Sequence, residues 1–87
     1  MPDGVGPGGL IVSAMASSGM SVEDLARSTR LRIGRLEQMT DDDFAATGGY
    51  VYARGHLRVI AGVLDLDVDE LLAAYDALSA SQRPPAP

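Results

Sequence analysis

Between Ala53 and Leu64 the apolar residues Ala53, Leu57, Ile60, Ala61 and Leu64 fall at i, i+4, i+7, i+8 and i+11. That spacing returns to one side of a helix at every step and to neither face of a strand. It predicts a long helix from about Tyr50 to Leu64 with one buried stripe, and the rest of the chain must supply what covers that stripe. No other stretch offers the alternative of a sheet, because apolar and polar residues never alternate over four positions with turn signals on both sides.

The covering elements are short helices. A first one is expected from about Gly9 to Ser18, stopped by Gly19, with Leu10 and Ala14 as its core pair. Ser21 caps a second, with Glu23 and Asp24 in its first turn and Val22, Leu25 and Ala26 on its apolar side. A third runs from about Arg32 to Thr40, with Leu36 and Met39 inward. Asp41 to Thr47 is a loop with one apolar anchor, Phe44, ended by Gly48 and Gly49. After the long fourth helix, Asp67 caps a fifth, with Glu70 three residues on as in a capping box and Leu71, Leu72, Tyr75 and Leu78 inward. Helices two and three, joined through Thr29, Arg30 and Leu31, read as a helix-turn-helix. The fold class is therefore all-α, a compact five-helix domain of helix-turn-helix type.

The chain has 87 residues, one domain at most. Six of its fifteen glycines and prolines lie in the first nine residues, and three prolines crowd the last four. We expect a disordered tail over residues 1–8, a folded domain over 9–79, and the start of a Pro-rich linker or tail over 80–87. A chain this short buries only about 60% of its unfolded surface, so a deep cleft between lobes is ruled out. There is no cysteine, which excludes disulfides and zinc–thiolate sites. No apolar run approaches the roughly 18–20 residues that span a bilayer, and the N-terminus lacks the basic and apolar regions of a signal peptide. The chain is expected to be cytoplasmic, at the inner face of the membrane if it is a fragment of a longer anchored protein.

Several residue types invite a chemical reading. Gly4, Gly6 and Gly9 match G-x-G-x-x-G, yet no strand precedes them, and they read as tail. His56 is the sole histidine, and one histidine makes neither a metal site nor a catalytic triad. No acid, base and nucleophile can be assembled, so no enzymatic activity, metal or cofactor is expected. All seven basic residues are arginine, and four of them, Arg27, Arg30, Arg32 and Arg35, occupy nine positions with no acid between. Arginine suits phosphate and guanine, but of the bidentate base readers only Gln38 is present, late in the third helix. Weak backbone contact with DNA is the expectation; the competing reading is a solvated charged face. Ile11 and Met15, one turn apart, are either an apolar contact surface or residues that close a small core from outside.

Two stretches give the chain a likeness. Gly19-Met20-Ser21-Val22-Glu23-Asp24-Leu25-Ala26 resembles the opening of the second helix in phage-repressor-type helix-turn-helix domains, and Leu36-Glu37 the end of their third. Gly49-Tyr50-Val51-Tyr52-Ala53-Arg54-Gly55-His56-Leu57-Arg58, followed by Ala61, Leu64, Leu66-Asp67 and Glu70-Leu71-Leu72, resembles the RodZ family of bacterial cell-shape proteins over about residues 9–76. The resemblance implies a non-catalytic adaptor that docks onto the actin-like filament protein MreB, with a membrane helix following the Pro-rich linker in the gene. It places Tyr52 and His56 on the partner face, with Arg54 and Arg58 in the same pattern. The competing readings are that Tyr52 and His56 pack against neighbouring helices, and that Arg54 and Arg58 form salt bridges to the acidic loop at Asp41 to Asp43. A helix-turn-helix DNA-binding regulator is the alternative function. The chain departs from the family where members usually carry basic residues (here Ile11 and Met15), often proline (here Ile33) and usually glycine (here Asp42).

Overall fold

The structure, a computed structural model, describes residues 6–45 and 48–82. Five α-helices follow in order: α1 (Pro7–Ser18), α2 (Val22–Thr29), α3 (Ile33–Thr40), α4 (Tyr50–Leu64) and α5 (Val68–Gln82). No strand occurs among the described residues. The stripe Ala53, Leu57, Ile60, Ala61 and Leu64 is buried as its spacing requires. Helices α1, α2 and α5 pack against α4, while α3 packs on α1 and α2. Leu25, Leu36, Met39, Leu71, Leu72 and Tyr75 fill the space around the stripe. Each fully buried Leu or Ile contributes about 1.5–3 kcal/mol relative to exposure, so the core depends heavily on these few side chains.

The helix ends follow from local chemistry. Ser21 accepts from the Asp24 amide at 3.1 Å, and the Asp24 carboxylate accepts from the Ser21 amide at 3.2 Å, a closed capping box for α2. Asp67 accepts from the Glu70 amide at 3.1 Å at the start of α5. Gly19 stops α1 in the left-handed conformation, φ 69°, so that the Met20 amide reaches the Met15 carbonyl at 3.0 Å. Arg30 (φ 62°) and Asp65 (φ 58°) end α2 and α4 in the same conformation without being glycine. Ile33 is the first residue of α3, a position where proline is well tolerated because the amide has no intrahelical partner; this accounts for the proline of the related pattern.

Two expectations are corrected here. Helix α1 begins at Pro7, not Gly9, and Pro7 and Gly8 are buried rather than part of a tail. The cap comes from far along the chain: the Gly8 amide donates to Asp42 Oδ1 at 2.7 Å. Of the G-x-G-x-x-G residues, Gly6 is the N-cap of α1 and Gly9 lies in the helix, while Gly4 lies outside the described residues. At the other end α5 continues to Gln82, beyond residue 79. Ile11 is the second correction. It is 0% exposed at the centre of the core, not on a contact surface. Helix α1 is wrapped by α3, α4 and α5, so Leu10, Ala14 and Met15 are half-buried around Ile11.

Candidate functional site

With Ala53, Leu57 and Ile60 turned inward, the same periodicity turns Val51, Tyr52, Gly55, Val59 and Gly62 outward. Val51 is 77% exposed, Tyr52 65% and Val59 48%. Most surface helices carry charged residues opposite their buried stripe; here that side is apolar and small. Arg58, also exposed, stands beyond Val51 on the edge nearer α5. His56 borders the other edge and is half-buried. Burial, and secondarily the positive charge of Arg35, holds its imidazole below its ordinary pKa. Both effects favour the neutral ring, in which one nitrogen donates and one accepts. Tyr52 thus lies open on the surface, and His56 lies half-buried at the border of that face, where the charge of Arg35 on α3 is felt.

Arg54 is committed elsewhere. Its Nη1 lies 2.7 Å from both oxygens of Asp76 on α5. The Tyr50 hydroxyl donates to Asp76 Oδ1 at 2.6 Å, and the Arg54 guanidinium stands 5.5 Å over the Tyr50 ring. Tyr50 stacks on Tyr75 at 5.7 Å between centroids, and Phe44 meets Tyr75 at 4.8 Å. The hydroxyl of Tyr50 and the cation of Arg54 hold the Asp76 carboxyl below its ordinary pKa, and Asp76 raises that of Arg54. This strut ties the first turn of α4 and the preceding loop to α5. The expected bridge from Arg54 to Asp41–Asp43 is replaced by one to Asp76. Arg58 makes no ion pair among the described residues.

The helix-turn-helix arginines are dispersed in role. Arg27 pairs with Asp24 at 3.4 Å. Arg30 occupies the left-handed end of α2, Arg32 is the N-cap of α3, and Arg35 lies one turn on, half-buried. Arg30, Arg32 and Arg35 have no ion pair among the described residues. Ile33 stands 39% exposed between them, and Gln38 is exposed in the last turn. An apolar residue at the start of the helix that would enter a groove, with its amide-bearing side chain at the far end, is poor equipment for reading bases.

Val51, Val59 and Asp76 were not singled out from the sequence. The two valines follow from the α4 stripe by taking its opposite face; the partnership of Asp76 with Arg54, 22 positions away, has no such local signal. Among the described residues no cluster of three or more His, Cys, Asp or Glu could hold a metal ion, and no helix is long and apolar enough to cross a membrane.

Comparison with known proteins agrees with this geometry. A family model described as a helix-turn-helix domain matches residues 16–71. The cytoskeleton protein RodZ of Streptococcus pneumoniae (strain ATCC BAA-255 / R6) is 33% identical over 64 residues, which cover 74% of this chain and 23% of that relative. The chain thus corresponds to about a quarter of the relative's length. No solved structure matches.

Proposed function

The chain belongs to the RodZ-like helix-turn-helix family, and from that premise we propose that it is a non-catalytic adaptor module whose α4 docks onto a cell-shape filament of the MreB type, on the cytoplasmic side of the membrane. One observation carries this reading: α4 has a complete buried stripe and still exposes Val51, Tyr52 and Val59 on its outer side. Interface energy concentrates in a few aromatic anchors, and Tyr52 is the aromatic residue most open to such a role, with the half-buried His56 one turn along.

The test is co-sedimentation with purified MreB-type filaments. A Tyr52→Ala, His56→Ala variant is expected to keep its helical circular dichroism and lose binding. The comparison variant is Arg30→Ala, Arg32→Ala, which removes unpaired arginines at the helix-turn-helix corner and is expected to bind as the parent does. The reverse pattern would move the docking face to the α2–α3 corner.

The unpaired Arg30, Arg32 and Arg35 favour a second reading, contact with DNA phosphates. Such binding would be weak and blind to sequence, falling steeply with added salt. A complex with one duplex and not its scrambled version, stable at physiological salt, would make the DNA reading the primary one.

A further inference from the structure

We infer that Asp76, on α5 and outside the docking face, is a positioning residue for that face: through Tyr50 and Arg54 it fixes the first turn of α4, and with it Val51 and Tyr52. The inference rests on the docking reading above and adds the residue on which the shape of that site depends.

The first turn of α4 has little of its own to hold it. Its N-cap is Gly49, which offers no side-chain cap, and the turn carries no acid to complement the helix dipole. Gly48 and Gly49 stand at φ 92° and 114°, conformations that glycine alone adopts freely, so the chain enters the helix with no side chain to brace it. Tyr50, Val51 and Tyr52 are all exposed, and the first residue of α4 to enter the core is Ala53. Tyr52 leans back over this entry: a Cβ built at Gly48 would lie 3.5 Å from its ring. An exposed ring resting there takes its direction from the backbone at Gly48 and from the first turn.

What fixes that turn comes from α5. Asp76 Oδ1 accepts from the Tyr50 hydroxyl at 2.6 Å, and both Asp76 oxygens accept from Arg54 Nη1 at 2.7 Å. Tyr50 is the first residue of α4 and Arg54 lies one turn on, so one carboxylate grips both ends of the turn. Arg54 Nη1 also reaches the Tyr50 hydroxyl at 3.3 Å, which closes the three groups on one another. Charge-assisted bonds are roughly twice as strong as neutral ones, and a mutually bonded set loses more than one bond when a member is removed. Without Asp76 the hydroxyl and the guanidinium lose their shared acceptor. The stack of Tyr50 on Tyr75 then remains as the side-chain tie on a turn with no buried residue before Ala53, and such a segment opens locally while the core stays folded.

The experiment measures binding of the full chain to purified MreB-type filaments, with amide hydrogen exchange recorded in parallel. Asp76→Ala is expected to keep its helical circular dichroism and to speed exchange at the Ala53 amide, which donates to the Gly49 carbonyl at 2.9 Å. Binding is expected to weaken with it: a turn formed about one tenth of the time lowers the apparent affinity about tenfold. Asp76→Asn keeps an acceptor for Tyr50 and loses the ion pair, and is expected to move both readouts the same way by less. Two controls are expected to bind as the parent does. Asp69→Ala removes the same charge from an exposed position on α5, and Ile11→Val trims the buried core away from α4's first turn. A double-mutant cycle with Tyr52→Ala fixes the route, because a residue acting through the turn that carries Tyr52 costs much less once Tyr52 is gone. An undiminished loss from Asp76→Ala in the Tyr52→Ala background, or an equal loss from either control, overturns the inference. If Tyr52→Ala weakens binding while Asp76→Ala leaves binding and Ala53 exchange as in the parent, the inference fails and the docking reading stands. If Tyr52→Ala binds as the parent does, the docking reading fails and the inference falls with it.

Discussion

The amide of Gly8 donates to the carboxylate of Asp42 across 2.7 Å, joining the first turn of α1 to the residues that follow α3. Asp42 does the work of an N-cap from 34 positions away, since Gly6 at the cap has no side chain to offer. The arrangement asks for glycine at position 8, where a Cβ would collide with the carbonyl oxygens of Met39 and Thr40. It also holds Asp42 at φ 60°, a conformation that costs a non-glycine residue about 1–2 kcal/mol. Asp42→Ala is expected to lose the cap and keep the strain, lowering stability by about 0.5–2 kcal/mol. Asp42→Gly loses the same cap but relieves the strain, and should fall less. Urea titrations of the two variants would separate the terms; equal losses would show that the backbone conformation contributes nothing.

Leu57 lies at the centre of the α4 stripe and is fully buried. Leu57→Ala is expected to cost about 2–5 kcal/mol, a large share of the total stability of a domain this small. A thermal melt within a degree or two of the parent would show that the cavity is relieved by repacking.

These two sites mark what could be read from the chain and what could not. The α4 stripe is legible in full because helical periodicity is a local property, and the stop at Gly19 and the starts at Ser21 and Asp67 are local too. Helix α1 was harder. Leu10, Ile11, Val12, Ala14 and Met15 are apolar on several sides of the helix, so periodicity does not choose which side faces in, and nothing local marks Ile11 as the buried one. The start at Pro7 depends on a carboxylate 34 residues away, and Arg54 on one 22 residues away. Pairings at that distance are set by how the helices pack and leave no trace in spacing. The outer face of α4 was half legible: Tyr52 and His56 were identified through a family likeness, whereas Val51 and Val59 needed only the stripe's opposite side.

Acid should release the α4–α5 strut. The Tyr50 hydroxyl and Arg54 hold the Asp76 carboxyl below its ordinary value of 3.8. A depressed folded-state pKa means that the unfolded chain binds the proton more readily, so this contribution is present above pH 3.8 and is lost as pH falls below it toward the folded value. Asp76 is partly exposed, so the effect is modest. Melting temperatures recorded downward from pH 5 should fall less steeply for Asp76→Asn than for the parent. Parallel curves would mean that the bond geometry leaves the carboxyl's proton affinity unaltered.

His56 should act in a separate window. Burial and the charge of Arg35 lower its pKa from 6.5. The unfolded chain again takes up the proton first, so the stability associated with the neutral ring is full above pH 6.5 and declines as pH falls below it toward the folded value. His56→Gln, which cannot titrate there, is expected to flatten the melting profile in that window and leave the Asp76 window untouched. An imidazole titration followed by NMR, with a midpoint at or above 6.5, would contradict the half-buried placement of His56.

Gly55 and Gly62 lie inside α4 on its outer side, where an added methyl group meets nothing within 4 Å. Glycine in a helix interior costs about 0.8–1 kcal/mol relative to alanine. Gly55→Ala and Gly62→Ala are each expected to raise the stability of the isolated chain by roughly that amount, read as a higher urea midpoint at unchanged slope. Both positions sit on the face assigned to the partner, so the same substitutions should weaken filament binding if a surface approaches the α4 backbone there. Opposite signs in the two measurements would separate an external contact from an internal one, because a glycine needed for packing within the chain would lose stability on substitution. If both variants gain stability and bind as the parent does, the partner does not reach the helix backbone at these positions.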